Sequence, residues 1–191
     1  MSNQDSAFGL IAIGKIGQND DNQGLSEYSI AASATAIYQN DPVTALATGT
    51  IGVAASNSTL LGTLNGVFFT DSSTGKPTFA NHLAASNTAT DIVGFVSDDP
   101  YERFVVQVDT TFAAADVFLN ANITYVAGAS PNFVSNVELA KGSLTTTSTH
   151  QLKVVGISKD PDNNDVSSAN PNVVVRMNNH TYAGGTGTEG L

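Results

Sequence analysis

The sequence predicts an all-β protein, a compact β-barrel or β-sandwich with long loops, an N-terminal arm and at most short helices. Three observations carry that expectation. Apolar residues alternate with polar ones at the period of a strand: in 103–109, Phe104, Val106 and Val108 fall on one face and Arg103, Gln107 and Asp109 on the other. In 172–177 the same pattern sets Val173, Val175 and Met177 against Val174 and Arg176. Turn-forming clusters rich in Asp, Asn, Gly and Pro recur at 19–24, 40–42, 71–77, 98–100 and 160–165. Only 111–122 and 79–86 have the composition for a short helix.

In chain order, residues 1–24 read as a polar arm containing one apolar run at 8–13. Strands are expected at 27–31, 43–47 and 66–69, followed by a long connection over 70–90, where loops of such length usually carry function or mobility. Further strands follow at 91–96, 103–109, 123–126, 152–157 and 172–177. Residues 25–182 form one β-rich domain, with no repeat or composition shift to divide it, and the Gly-rich stretch 183–191 reads as a tail.

Composition narrows function. The 191 residues are 41% hydrophobic, enough for a core, but only 13% are charged, about half the usual share. Ala, Thr, Ser, Asn and Gly fill the gap and make a surface suited to protein contacts. The net charge is −10, with seven Lys and Arg in all, which disfavours nucleic acid and anionic membranes as partners. The chain lacks cysteine, so no disulfide framework or thiolate site is expected. With no basic leader and an apolar run too short for a signal core, the N-terminus reads as that of a protein made in the cytosol.

Candidate sites are few. Gly185, Gly187 and Gly190 match a dinucleotide fingerprint by letter, but one residue later the chain ends. The acidic loop 160–165 alternates oxygens as a calcium loop does, yet Asp165 and Pro171 stand where Gly and Glu are required, so it reads as a turn, with a cation site of another kind as the alternative. His82, His150 and His180 lie in separate loops or strand ends, with no nucleophile elbow or zinc motif, so no enzyme and no cofactor is expected. The densest ionisable stretch is SDDPYERFVVQVD at 97–109. Its Asp-Asp-Pro reads as a turn, and alternation sends Glu102 and Arg103 to opposite faces rather than into one gap. Arg103 and Asp109 are then candidate inter-subunit ion-pair partners.

Six phrases in the second half occur in a fixed order: DDP at 98–100 with FVVQVD at 104–109, AAADVFLNAN at 113–122, VEL at 137–139, QLKVVGI at 151–157, DPDN at 160–163 and VVRMNNH at 174–180. Looser matches are AFGL at 7–10, YSIAAS at 28–33 and DPV at 41–43. Together they resemble the capsid decoration, or cement, proteins of tailed bacteriophages. The resemblance implies a non-catalytic protein on the outer surface of the virion head, assembled in the host cytoplasm. It would bind the major capsid protein and itself, as a homotrimer. Segments 8–13 and 70–90 are the expected shell-facing parts, with Phe8, Leu10, Ile11, Ile13, Arg103, Asp109 and Arg176 as candidate capsid or subunit contacts. A tail- or fibre-associated virion protein used in host attachment is the alternative.

Overall fold

Alternating sequences become strands when every second side chain finds a core to enter, and this chain supplies two cores. A computed structural model describes residues 3–17, 24–183, 187 and 190. The strands that follow are β1 (Ile11–Lys15), β2 (Ser26–Ser29), β3 (Pro42–Ala45), β4 (Ile51–Val53), β5 (Gly62–Thr70), β6 (Pro77–Ala80) and β7 (Val93–Ser97). After them come β8 (Glu102–Gln107), β9 (Asn120–Ala121), β10 (Ile123–Thr124), β11 (Glu138–Leu139), β12 (Leu152–Ile157) and β13 (Asn172–Met177). No α-helix forms among the described residues. The all-β expectation holds.

Two larger sheets form, both antiparallel and open, so no barrel closes among the described residues. A five-stranded sheet runs β1-β8-β13-β12-β9, and a six-stranded sheet runs β2-β7-β5-β3-β4 with β6 pairing β5. A short ladder, β10-β11, stands apart from both. Phe104, Val106, Leu152, Val154, Val173, Val175 and Met177 point from the five-stranded sheet into one core, closed by Ile123, Val137 and Leu139. Val43, Leu64, Val67 and Val96 of the second sheet meet Ile30, Ile37, Leu83 and Ile92 in another. The chain passes between the sheets at 98–101, inside the acidic stretch. All strands before it except β1 belong to the six-stranded sheet.

Several expectations need correction. The described part of the 1–24 segment does not project as an arm: Ile11 and Ala12 pair with Val105 and Phe104, making β1 the edge of the five-stranded sheet. Ahead of it, Asn3 Nδ2 donates to Asp165 O at 2.7 Å, and Ser6 N–H donates to Gln107 Oε1 at 3.0 Å. That strap explains why Gln107, placed on the polar face, is only 1% exposed. Residues 18–23, including most of the 19–24 turn, lie outside the described residues.

The connection expected at 70–90 holds a hairpin in its first half, while 81–92 joins β6 to β7 without a strand. Asp71 Oδ1 accepts the N–H groups of Ser73 and Thr74, Gly75 takes a positive φ of +66°, and β6 returns along β5. The helix expected at 79–86 is overruled by this pairing, which sets Phe79 opposite Phe68. The helix expected at 111–122 shrinks to one 3-10 turn, Ala114–Asp116. It stops because Phe118 adopts a positive φ of 74° and its N–H donates to Val154 O, carrying the chain into β9.

Candidate binding surfaces and the inter-sheet clasp

The acidic stretch joins the two sheets. Ser97 ends β7 and Glu102 begins β8, so 98–101 must turn the chain from one core to the other. Asp98 reaches back: Ser26 Oγ donates to its Oδ1 at 2.9 Å, and Tyr28 OH to its Oδ2 at 2.5 Å. Burial and the bond to Asp98 both push the Tyr28 phenol well above its usual pKa, so it stays a donor. Asp99 reaches forward, pairing with Lys15 Nζ of β1 at 3.0 Å. Burial works against ionisation of Asp99, but the Tyr101 N–H and Lys15 outweigh it and hold the carboxyl below its usual range. Each aspartate ties the turn to a different sheet.

Glu102 shows what alternation does to a charge at a strand end. It shares the core side with Phe104 and is 1% exposed, while Arg103 points to the other face. Its Oε1 accepts the Gly14 N–H at 2.8 Å, where β1 bulges between Ala12 and Gly14. Burial raises its pKa, against the opposing pull of Gly14 N–H and Lys15. Replacing Glu102 by alanine strands the Gly14 N–H and is expected to cost about 1–3 kcal/mol. Chemical denaturation reads that loss, and faster amide exchange along β1 locates it.

Of the candidate contact residues, Leu10 is fully buried in the first core, and Phe8 and Ile13 are half-buried. Leu10 is therefore a core residue and cannot contact a partner without unfolding. Ile11 is 40% exposed on the edge strand. Arg103 stands directly opposite Arg176, and Arg176 opposite Lys153, forming a row of three cations across β8, β13 and β12. Like charges placed so close cost stability, and burial together with Arg176 lowers the Lys153 pKa. Asp109 sits past the far end of β8, where its Oδ1 caps the Lys141 N–H at 3.0 Å. Arg103 and Asp109 are thus not neighbours within the chain.

The remaining candidates resolve into structure. In the acidic loop, Asp165 accepts from Ser167 N and from the Ser167 and Ser168 hydroxyls, which hold its pKa down to about 2. Asp160 Oδ1 accepts Asp162 N–H, as in an ordinary Asp turn. Among the described residues no group of three or more His, Asp or Glu could hold a metal. His82 lies stacked on Phe133, with ring centroids 4.0 Å apart, and burial lowers its pKa. His180 is fully buried beside the clasp and takes the Tyr182 N–H on Nδ1. Gly185 lies outside the described residues, as do 184, 186, 188, 189 and 191. Gly190 N–H is bonded to Thr146 O, which docks that point of the tail on the fold.

A surface that sequence reading passed over lies on the six-stranded sheet. Phe68 and Phe79 face each other across β5 and β6, with centroids 4.8 Å apart, and Phe79 and Phe95 are 6.4 Å apart at an interplanar angle of 16°. Phe79 is 73% exposed, the highest value among the large apolar side chains of the described residues. The signal was the Phe68-Phe69 pair: in a strand, consecutive aromatics must point to opposite faces, and only Phe69 packs on the core.

These features define an all-β protein of two antiparallel sheets, joined at the 98–101 turn, with an aromatic patch on the six-stranded sheet and a row of three cations across the five-stranded one. Compared with known proteins, the chain matches no family model, no curated protein and no solved structure. No helix among the described residues is long and apolar enough to cross a membrane.

Proposed function

We propose that this chain is a non-catalytic decoration protein of a tailed-phage head, binding the outer shell and bridging neighbouring capsomers. The observation that carries the reading furthest is the aromatic patch Phe68–Phe79–Phe95. It puts the most exposed large apolar side chain of the described residues, Phe79, within 70–90, a segment expected from sequence to face the shell. Exposed aromatic surface of this kind costs solubility unless a partner covers it. The ordered phrases at 98–180 supply the family resemblance, and four strands of the five-stranded sheet, β8, β9, β12 and β13, run through them.

The mechanism follows from repetition. A symmetric oligomer presents one patch several times, so modest contacts multiply across a lattice. A clip that binds only the expanded shell stabilises it by mass action against internal pressure. The row Arg103–Arg176–Lys153 supplies a cationic strip on an otherwise acidic protein, suited to carboxylates of a neighbouring subunit.

Quantitative mass spectrometry of purified virions tests the assignment. Hundreds of copies per particle are expected. A dozen or fewer would move the protein to the tail or fibre, and none would remove it from the virion.

A further inference from the structure

The aromatic patch is a groove as well as a surface. Directly opposite residues on neighbouring strands share a face. Phe95 lies opposite both Gly66 and Glu27, and Phe68 lies opposite both Val93 and Phe79. At Gly66 no side chain fills the space between the Phe79 and Phe95 rings. A groove of about 360 Å³ results, lined by Gln39, Asn65, Gly66, Phe79 and Phe95 among others. No Lys or Arg lines it. The carboxylate of Glu27, exposed on β2, stands on the same face beside Phe95.

We propose that this groove receives an arginine side chain presented by an exposed segment of a partner protein. Ring faces carry negative quadrupole density and attract a cation lying against them, and guanidinium stacks flat on aromatic rings where ammonium cannot. Glu27 adds an opposite charge at the rim, within reach of the fork once the planar head lies on Phe95. A second copy of this chain is the poorer occupant: the net charge is −10, and Glu27 of each copy would approach an acidic surface. The shell protein as source of the arginine rests on the decoration reading; the groove's preference for arginine does not.

The isotope-labelled protein is titrated with three blocked tripeptides, Ser-Arg-Ser, Ser-Lys-Ser and Ser-Leu-Ser, while the ring protons of Phe79 and Phe95 are followed by NMR. Saturable shifts are expected with the arginine peptide, which should bind roughly two- to fivefold more tightly than the leucine peptide. Phe79→Leu keeps apolar bulk on an exposed site but removes one of the two rings, and should reduce that preference. Glu27→Gln should weaken arginine binding and flatten its salt dependence. The proposal is overturned by equal binding of the leucine peptide, by an unaltered preference in Phe79→Leu, or by no response at the two rings. Ring shifts that grow with protein concentration alone would also overturn it, in favour of self-association. Because no virion is used, failure here leaves the copy-number result standing, and the reverse.

Discussion

Gly62→Ala is expected to destabilise the protein by at least about 3 kcal/mol, the upper range for overpacking a filled interior. The reason is the crossing of β5 and β7. A Cβ at position 62 would stand 2.2 Å from Ser97 O and 2.6 Å from Val96 Cγ1. The first of these is backbone, held in the ladder that pairs Thr63 with Ser97, so relief requires parting the two strands. Ser97 is also the last residue before the clasp, so the disturbance should reach Asp98 and its bonds to Ser26 and Tyr28. Gly156→Ala is the control. Its Cβ would meet nothing within 4 Å, so it should be neutral or stabilising by under about 1 kcal/mol, through lost freedom of the unfolded chain. Urea melts of the two variants measure the contrast; comparable losses would refute the crossing as the cause.

Asp41→Asn should stabilise the protein at pH 8 by up to about 3 kcal/mol, with the gain fading towards pH 4. Asp41 is fully buried where the loop before β3 meets the 133–135 segment. Burial lifts its pKa from 3.8 to about 6, against the opposing pull of the Ser135 hydroxyl and the Tyr38 N–H, which donates to Oδ2 at 2.8 Å. The Tyr125 phenol lies near enough to feel its charge: burial first, and then Asp41, raise the Tyr125 pKa to about 12. Because the folded pKa exceeds the unfolded one, the folded state binds the proton more tightly. The associated stability is complete below about pH 3.8 and lost as pH rises through about 6. Asparagine cannot ionise and removes that loss. His180, whose pKa burial lowers, works in the opposite sense, but it is common to both proteins and cancels in the difference. Stability curves that run parallel between pH 4 and pH 8 would sink the assignment.

Strand periodicity made much of the architecture legible. The faces expected for β8 and β13 are those observed, with Phe104, Val106, Val173, Val175 and Met177 inside. A period of two assigns sides from local sequence alone, and the sides survive whatever the strand packs against. The turn at 98–100 was legible for a similar reason, since Asp99 accepts the Tyr101 and Glu102 N–H groups just beyond it, although the long-range bonds of Asp98 to β2 and of Asp99 to Lys15 were not. Helices were misread at 79–86 and 111–122 because local composition there competes with pairing to β5 and β12, partners distant in sequence.

The candidate surfaces were less legible. Leu10 looked like part of a contact segment, yet it is core, because β1 crosses from the start of the chain to edge a sheet built from its end. Arg103 and Arg176 were separate candidates until the β8–β13 register placed them side by side. Phe79 and Phe95 became one groove only through pairing across three strands, with Gly66 between them and Phe68 packed against Phe79. Composition and alternation were enough to establish an acidic, cysteine-free β-protein and to say which side of β8 and β13 faces inward. Which strands are neighbours, where the two cores divide, and which side chains meet on the outer faces depend on non-local pairing, and period-two alternation is the same for every partner a strand could take.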